Sequence, residues 1–271
     1  MLGEPSVVHL PEPMTPAKTH LDASTNRSHS ELDLDGKDEQ DHVEITSRAR
    51  LAVEPALKLS GVSKRWRRSR TPVLDEIDLE LLSGSATWIG GRNGAGKTTL
   101  LRIAAGIITP DAGESRARGL SPERDRRAYQ TEVGFLSTGN TGLYARLTVR
   151  QHLRYQSRLN LLTTNEAEQA IEREFRRFRL AEIDGRRVDR LSMGQRQRLR
   201  LAMTMLREPT VLLLDEPRNS LDDEGVAMLL DVIARTAARG GAIVWCSPAD
   251  ETTGMDFDRQ LIVENGSLVP A

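Results

Sequence analysis

Residues 91–98 read Gly-Arg-Asn-Gly-Ala-Gly-Lys-Thr, which satisfies G-x-x-x-x-G-K-[ST], the pattern of a phosphate-binding loop. Its glycines allow a tight turn whose N–H groups point inward, and the following helix adds its positive N-terminal end. We expect Lys97 to reach the β and γ phosphates and the Thr98 hydroxyl to coordinate Mg²⁺. Lys97 is also the last lysine, since the 174 residues after it use only arginine. The predicted nucleotide-binding residues here are Gly91, Arg92, Asn93, Gly94, Ala95, Gly96, Lys97, Thr98 and Thr99.

Segments around this loop predict an α/β fold. An apolar run at 86–89 precedes the loop, and a helical pattern at 97–105 follows it. Upstream, residues 57–59 and 73–81 alternate apolar and polar side chains, which is typical of half-buried antiparallel strands. Past residue 208, buried strands alternate with one long helix, so we expect a parallel sheet with helices on both faces. The predicted segments are strands at 211–214, 243–246 and 260–264 and a helix at 223–239.

Two further helices are predicted between residues 148 and 180. One covers 148–162 and opens with Thr148-x-x-Gln151, and the other covers 165–180 and opens with Asn165-x-x-Glu168. Both are plausible N-terminal capping patterns.

Composition and charge divide the 271 residues into two unlike parts. The net charge of −1 averages a stretch at 1–50, with 10 acidic, 5 basic and no aromatic residues, and a remainder with 29 acidic and 33 basic residues. We expect residues 1–52 to be a disordered acidic tail, and its four histidines to be solvated rather than metal ligands. The single cysteine, Cys246, forms no internal disulfide, and no apolar run reaches the ~18 residues of a membrane span. The predicted location is the cytoplasm.

A second chemical motif follows Lys97 by 118 residues. Residues 211–216 read Val-Leu-Leu-Leu-Asp-Glu, an apolar strand that ends in two carboxylates. Asp215 is placed to hold Mg²⁺, and Glu216 to orient and deprotonate an attacking water as general base. The predicted catalytic residues are Glu216 and Lys97, and the predicted metal ligands are Thr98 and Asp215.

A third motif is Leu-Ser-Met-Gly-Gln at 191–195, in which Ser192-x-x-Gln195 is also a capping-box pattern. Together with the phosphate loop, the strand ending in Asp-Glu and Ser-Leu-Asp at 220–222, it makes residues 57–268 resemble the nucleotide-binding subunit of an ABC transporter. The nearest type is the export (ABC-2-like) ATPase. The resemblance implies a P-loop NTPase core in a domain at 53–271, a small antiparallel subdomain at about 53–90 and a helical subdomain at about 140–205.

The family pattern implies further site residues. Two such domains pair head to tail, so that Ser192 and the backbone of Gly194 of one contact the γ-phosphate bound by the other. Gln195, in the same motif, is also a predicted nucleotide-binding residue, and Asp222 belongs to the loop that communicates between the two sites. Trp66 stands where the family has an aromatic that stacks on adenine. Residues 64–70 also read Lys-Arg-Trp-Arg-Arg-Ser-Arg, a basic patch with an aromatic residue that is typical of nucleic-acid binding. Because one short patch is a weak footprint, adenine stacking is favoured and no nucleic acid is expected.

Two positions depart from the family pattern. Thr138 stands where a Gln normally senses Mg²⁺ and the attacking water, and Pro248 stands where a His normally contacts the γ-phosphate. Proline has neither a side-chain donor nor an N–H, so that contact is absent unless Ser247 or Asp250 replaces it through water. Losing it costs on the order of 3 kcal/mol of transition-state stabilisation. We therefore expect an ATPase that binds ATP well and turns it over slowly.

The resemblance implies an ATP-dependent subunit on the inner face of the cell membrane, attached to a separate permease. Residues 141–148 resemble the corresponding loop of export ATPases, which favours efflux. Two alternatives stay open: a hydrolysis-deficient regulatory subunit of a heterodimer, and a soluble ABC protein that acts on ribosomes or nucleic acid. The uninterrupted segment between the two main motifs argues against the second.

Overall fold

The computed structural model describes residues 54–67, 69–139, 142–249 and 254–271. The predicted acidic tail and its histidines lie outside these residues, so both predictions about them stay open. None of the helices in the described ranges is long and apolar enough to cross a membrane.

The described residues form nine strands and six α-helices. The strands are β1 (Leu57–Lys64), β2 (Leu74–Leu81), β3 (Ala86–Gly90), β4 (Ala112–Ala117), β5 (Val133–Leu136), β6 (Val211–Asp215), β7 (Ala242–Cys246), β8 (Arg259–Glu264) and β9 (Ser267–Pro270). The helices are α1 (Lys97–Ala104), α2 (Arg126–Glu132), α3 (Val149–Leu159), α4 (Thr164–Arg177), α5 (Met193–Met205) and α6 (Asp223–Ala238).

A six-stranded sheet with the order β5-β6-β7-β3-β8-β9 forms the centre of the molecule. All its neighbours are parallel except β8 and β9. The predicted mostly parallel α/β core is therefore confirmed. Because parallel strands point the same way, the carboxyl ends of β3 and β6 bring the phosphate loop and Asp215 to one edge of the sheet.

A separate three-stranded antiparallel sheet has the order β2-β1-β4. The predicted antiparallel subdomain is confirmed, but its boundary at about residue 90 was wrong. The strand β3 belongs to the central sheet, and β4, from beyond α1, completes the antiparallel sheet by pairing with β1. The sequence of β4, Ala-Gly-Glu-Ser-Arg-Ala, shows no alternation of apolar and polar residues. Its buried residues, Ser115 and Ala117, are small, so no sequence pattern indicates a strand here.

Alternate residues of β6 pack into two different cores, which explains its continuous apolar sequence. Leu212 and Leu214 face a core built with α3, α4, α5 and α6. Val211 and Leu213 face a core built with α1 and the antiparallel sheet. Side chains of a strand alternate between its faces, so a strand covered on both faces is apolar throughout.

Three helices begin with a capping box. Thr148 caps α3 and Ser192 caps α5, each with the Gln three residues later, as expected. The predicted start of α4 at Asn165 with Glu168 was wrong, because Thr163 and Glu166 form its box two residues earlier. The predicted ends of α3 and α4 were also three residues too late.

Candidate nucleotide-binding and hydrolysis site

The phosphate loop connects β3 to α1 and needs glycine where the chain is crowded. Gly91 has φ 142° and Gly96 has φ 116°, conformations that side chains rarely adopt. A Cβ at either position would lie 2.9 Å from a backbone oxygen, that of Val263 or Val73 respectively. Gly96 also serves as the N-cap of α1 without any side-chain cap. The first N–H groups of α1 thus lack side-chain partners and suit an anionic ligand.

The Lys97 side chain folds back over the loop. Its Nζ donates to the carbonyl oxygens of Gly91 at 2.6 Å and Arg92 at 3.2 Å, and the residue is 6% exposed. The loop carbonyls therefore hold the ammonium against the phosphate loop, and its contact with the phosphates stays a prediction.

Thr98 and Asp215 are in direct contact, although 117 residues separate them. The Thr98 hydroxyl donates to Oδ2 of Asp215 at 2.8 Å. The other oxygen, Oδ1, is buried and has no hydrogen-bond partner. Burial raises the pKa of Asp215, and the Thr98 hydrogen bond opposes this only in part. An orphaned carboxylate oxygen beside a hydroxyl is the donor set that Mg²⁺ prefers, so these two side chains fit the predicted metal.

Glu216 lies one residue beyond β6 in a left-handed backbone conformation, with φ 47°. Its N–H donates to the carbonyl of Cys246 at 2.8 Å, which holds the turn against β7. Its Oε2 accepts a 2.6 Å hydrogen bond from Nδ2 of Asn219. The sequence analysis missed Asn219; its three-residue spacing from Glu216 was the available signal. The hydrogen bond from Asn219 therefore fixes the orientation of the Glu216 carboxylate, the predicted general base.

Trp66 shares a cavity of about 320 Å³ with the phosphate loop and Glu216. Its ring is 46% exposed, and Nζ of Lys64 lies 5.7 Å from the ring centroid. That ammonium is fixed by Oδ1 of Asp111 at 2.7 Å and by the carbonyl of Thr109 at 2.8 Å. The cavity is lined by Trp66, Val73, Asn93, Gly94, Gly96, Lys97, Thr98, Thr99 and Glu216.

Ser192 and Gln195 do not line this cavity. The Ser192 hydroxyl accepts from the N–H of Gln195 at 3.2 Å, and Oε1 of Gln195 accepts from the N–H of Ser192 at 3.1 Å. Both side chains therefore serve the start of α5 in this chain. Ser192 is exposed, as is the adjacent Met193 at 64%, so the same helix end is open to a second protein.

Asp222 is the N-cap of α6, without a reciprocal capping box. Its Oδ1 accepts from the N–H of Gly225 at 2.8 Å, and its Oδ2 accepts from Arg198 at 3.1 Å. The Gly225 hydrogen bond is the main reason that the pKa of Asp222 lies below its usual range. Asp222 is outside the Trp66 cavity, as are Ser192 and Gly194.

The two positions that depart from the family pattern differ in their surroundings. Thr138 lines a small cavity of about 70 Å³ together with Glu216. Pro248 follows β7, and the preceding Ser247 is fully buried and accepts a 2.9 Å hydrogen bond from Nε1 of Trp88. Ser247 is thus buried and engaged with Trp88, while Asp250 lies outside the described residues.

Residues 74–219 match the family model described as ABC transporter. The chain therefore belongs to the ABC transporter family, and its fold and motifs make it an ATP-binding ATPase domain of that family.

Relatives with curated names are ABC ATP-binding proteins. The probable multidrug ABC transporter ATP-binding protein YbhF of Escherichia coli (strain K12) is 33% identical over 192 residues, which cover 71% of this chain and 33% of that protein. The daunorubicin resistance ATP-binding protein DrrA3 of Streptomyces coeruleorubidus is 32% identical over 216 residues, 80% of this chain and 67% of that protein. The chain thus spans about a third of the length of YbhF.

Solved structures agree on the fold. A structure described as the ATP-binding subunit of an ABC transporter superimposes with a TM-score of 0.71 at 24% identity, covering 79% of this chain and 88% of that one. The dimeric ATP-binding cassette MJ0796, bound to ADP and Pi, gives 0.70 at 19% identity, covering 78% and 96%.

Proposed function

We propose that this chain hydrolyses ATP to power a separate membrane permease, and that the permease is an exporter. The observation that carries the proposal is the Thr98–Asp215 pair, whose orphaned Oδ1 lies at the same sheet edge as the phosphate loop. A carboxylate with a purely structural role would have hydrogen bonds to both of its buried oxygens. A site for Mg²⁺ and nucleotide instead needs a free oxygen to bind the metal.

Each part of the site then has a chemical task. The phosphate loop and Lys97 bind the phosphates, and Trp66 stacks on the adenine. Thr98 and Asp215 hold Mg²⁺, which neutralises phosphate charge when bound. Glu216, oriented by Asn219, accepts a proton from the attacking water.

A second ATP-binding subunit completes the site. Ser192 and Gly194, at the exposed start of α5, approach the phosphates held by the partner's loop, because a helix N-terminus attracts anions. The exposed Met193 beside them supplies an apolar contact for the pairing. Asp222, at the start of α6, lies at the junction between the two sites.

The names of two relatives support the proposal of an exporting permease. YbhF is named a probable multidrug transporter component and DrrA3 a daunorubicin resistance protein. Both names favour export, as does the resemblance of residues 141–148. The chain then acts at the inner face of the cell membrane, attached through the permease.

A second function is favoured by one observation. Pro248 provides no donor, and Ser247 is engaged with Trp88, so the γ-phosphate lacks one polar contact. A chain that binds ATP without hydrolysing it would act as a regulatory subunit beside an active partner.

The experiment is affinity purification of the full chain from its native host membranes, followed by ATP turnover of the complex. We expect an integral membrane permease to co-purify and to stimulate turnover. Turnover that comes entirely from a different ATP-binding subunit in the complex would favour the regulatory function, and recovery with ribosomes instead of membranes would overturn the proposal.

A further inference from the structure

Arg200 is a buried arginine that none of the predicted motifs uses. It lies on α5, two turns beyond Ser192, and is 6% exposed. Its guanidinium donates to Oε1 of Gln197 at 2.8 Å, to Oγ of Ser137 at 3.0 Å and to the Ser137 carbonyl oxygen. In the part of the chain that the structure describes, no carboxylate forms an ion pair with it. Burial lowers the pKa of Arg200, and the charge of Asp215 opposes this only in part.

A buried charge whose direct hydrogen-bond partners are all neutral is costly, and the nearby charge of Asp215 offsets only part of that cost. An apolar residue of similar size would pack on α5 without this cost. The arginine therefore needs an explanation beyond packing, and its hydrogen-bond partners supply one.

The partners of Arg200 are Ser137, which follows β5, and Gln197, one turn earlier on α5, which in turn contacts the segment after β6. Ser137 immediately follows β5, and the next residue, Thr138, lines the small cavity that contains Glu216. Gln197, held by the same guanidinium, donates through Nε2 to the carbonyl of Pro217 at 3.1 Å. Pro217 is the residue after Glu216. Arg200 is thus connected to the segment of Thr138 through Ser137, and to the segment of Glu216 through Gln197 and Pro217.

Arg200 also separates two cavities. One is the Glu216 cavity of about 70 Å³, and the other is a groove of about 170 Å³ between β5, α3 and α5. Among the described residues, Arg200 is the one side chain common to both linings. Arg200 therefore lies between the groove and the small cavity that Thr138 and Glu216 line.

We propose that Arg200 is a positioning residue for ATP hydrolysis, which fixes Thr138 and Glu216 relative to each other. This proposal rests on the proposed ATPase function. Arg200 does not touch the nucleotide: it holds the segment in which Thr138 replaces the expected Gln, and it holds Glu216 through Gln197 and Pro217. A misplacement of about 1 Å at such a site costs up to about 100-fold in rate.

The test compares Arg200→Met, Arg200→Lys and the control Arg207→Met in the full chain. Arg207 lines the groove without reaching the Glu216 cavity, and it donates to Thr131 at 3.1 Å. For Arg200→Met we expect turnover at saturating ATP to fall about 10- to 100-fold, while the ATP dissociation constant stays within about threefold. Arg200→Lys keeps the charge and part of the hydrogen bonding, so it recovers part of the rate, and Arg207→Met leaves both constants unchanged.

The melting temperature is measured for each variant. Arg200→Met also removes the hydrogen bonds to Gln197 and Ser137, so a lower rate identifies positioning when the variant stays fully folded at the assay temperature. Unchanged turnover in Arg200→Met would overturn the proposal, as would a parallel loss of ATP affinity and rate in both Arg200 variants. Absence of turnover in the wild-type chain and in its complex with the permease would instead overturn the proposed function and, with it, this role.

Discussion

Thr98 donates a hydrogen bond to one oxygen of Asp215 and leaves the other oxygen of that carboxylate buried without a partner. The two residues are 117 positions apart in the sequence and meet because β3 and β6 end at the same edge of the central sheet. The pair defines where the metal and the phosphates are expected to lie.

Asp215→Asn tests the metal role. The amide keeps the shape but removes the negative charge, so we expect ATP turnover in Mg²⁺ to fall about 100-fold or more. ATP affinity measured in EDTA is expected to stay near the wild-type value, because Lys97 and the loop are untouched. Asp231→Asn, which removes an exposed carboxylate paired with Arg235 on α6, is the control. An equal loss of ATP affinity with and without Mg²⁺ would contradict the metal assignment.

The same variant gives a stability prediction. Because burial raises the pKa of Asp215, the folded chain holds this proton more tightly than the unfolded chain does. The stabilising contribution of Asp215 is therefore present at low pH and is lost as the pH rises through the raised pKa. Without Mg²⁺ or nucleotide, we expect Asp215→Asn to melt about 2–4 °C higher at neutral pH, the shift that ~1 kcal/mol gives in a chain of this size.

The pH dependence of that difference is the check. It is expected to shrink as the pH approaches the ordinary aspartate value of 3.8, since the wild-type carboxyl then takes up its proton. Thermal unfolding of both proteins across this range measures it. A difference that grows on acidification would mean that Asp215 is not destabilised by burial.

Ser192 has two roles that different substitutions separate. Ser192→Ala removes the cap of α5 and is expected to cost about 1 kcal/mol of unfolding free energy. Ser192→Asp keeps a capping oxygen but places a negative charge where the partner's phosphate is expected. We expect nearly normal stability and loss of the ATP-dependent dimer, measured by light scattering in a Glu216→Gln background.

Thr163→Asp makes the matching change at the cap of α4 and is expected to leave dimerisation intact. If both aspartate variants dimerise equally with ATP, then Ser192 is a helix cap only.

Pro248→His tests whether the missing donor slows hydrolysis. We expect turnover to rise about tenfold or more if the imidazole reaches the γ-phosphate, since one donor at such a site is worth this much. Pro248→Ala restores an N–H without a side-chain donor and is expected to change turnover little. A similar rise in both variants would attribute the effect to the backbone instead.

Sequence patterns predicted those parts of the site whose residues lie close together in the sequence. The capping box of α5 follows from Ser192 and Gln195 because its atoms lie within one helical turn. The predicted start of α4 was wrong because Thr163 and Asn165 each begin an acceptable capping-box pattern. The structure uses the box at Thr163, directly after Leu162, which packs against the core.

Contacts between distant segments were out of reach of such patterns. The strand β4 carries polar residues and owes its place to pairing with β1. The contact between Arg200 and Ser137 spans 63 residues and has no periodic signal. Thr98 and Asp215 were predicted to share one site because each lies in a motif of its own, and the structure brings the two side chains into contact. The orphaned Oδ1 is visible only when the strands are assembled.

The most direct test of the account is Mg²⁺-dependent ATP hydrolysis by the wild-type chain and by Glu216→Gln, alone and with the permease. The account predicts slow turnover in the wild type, and a loss of about 100-fold or more in the variant with ATP affinity retained. Equal turnover in the two proteins would contradict the role of Glu216, and ATP binding without turnover in either condition would contradict the ATPase assignment itself.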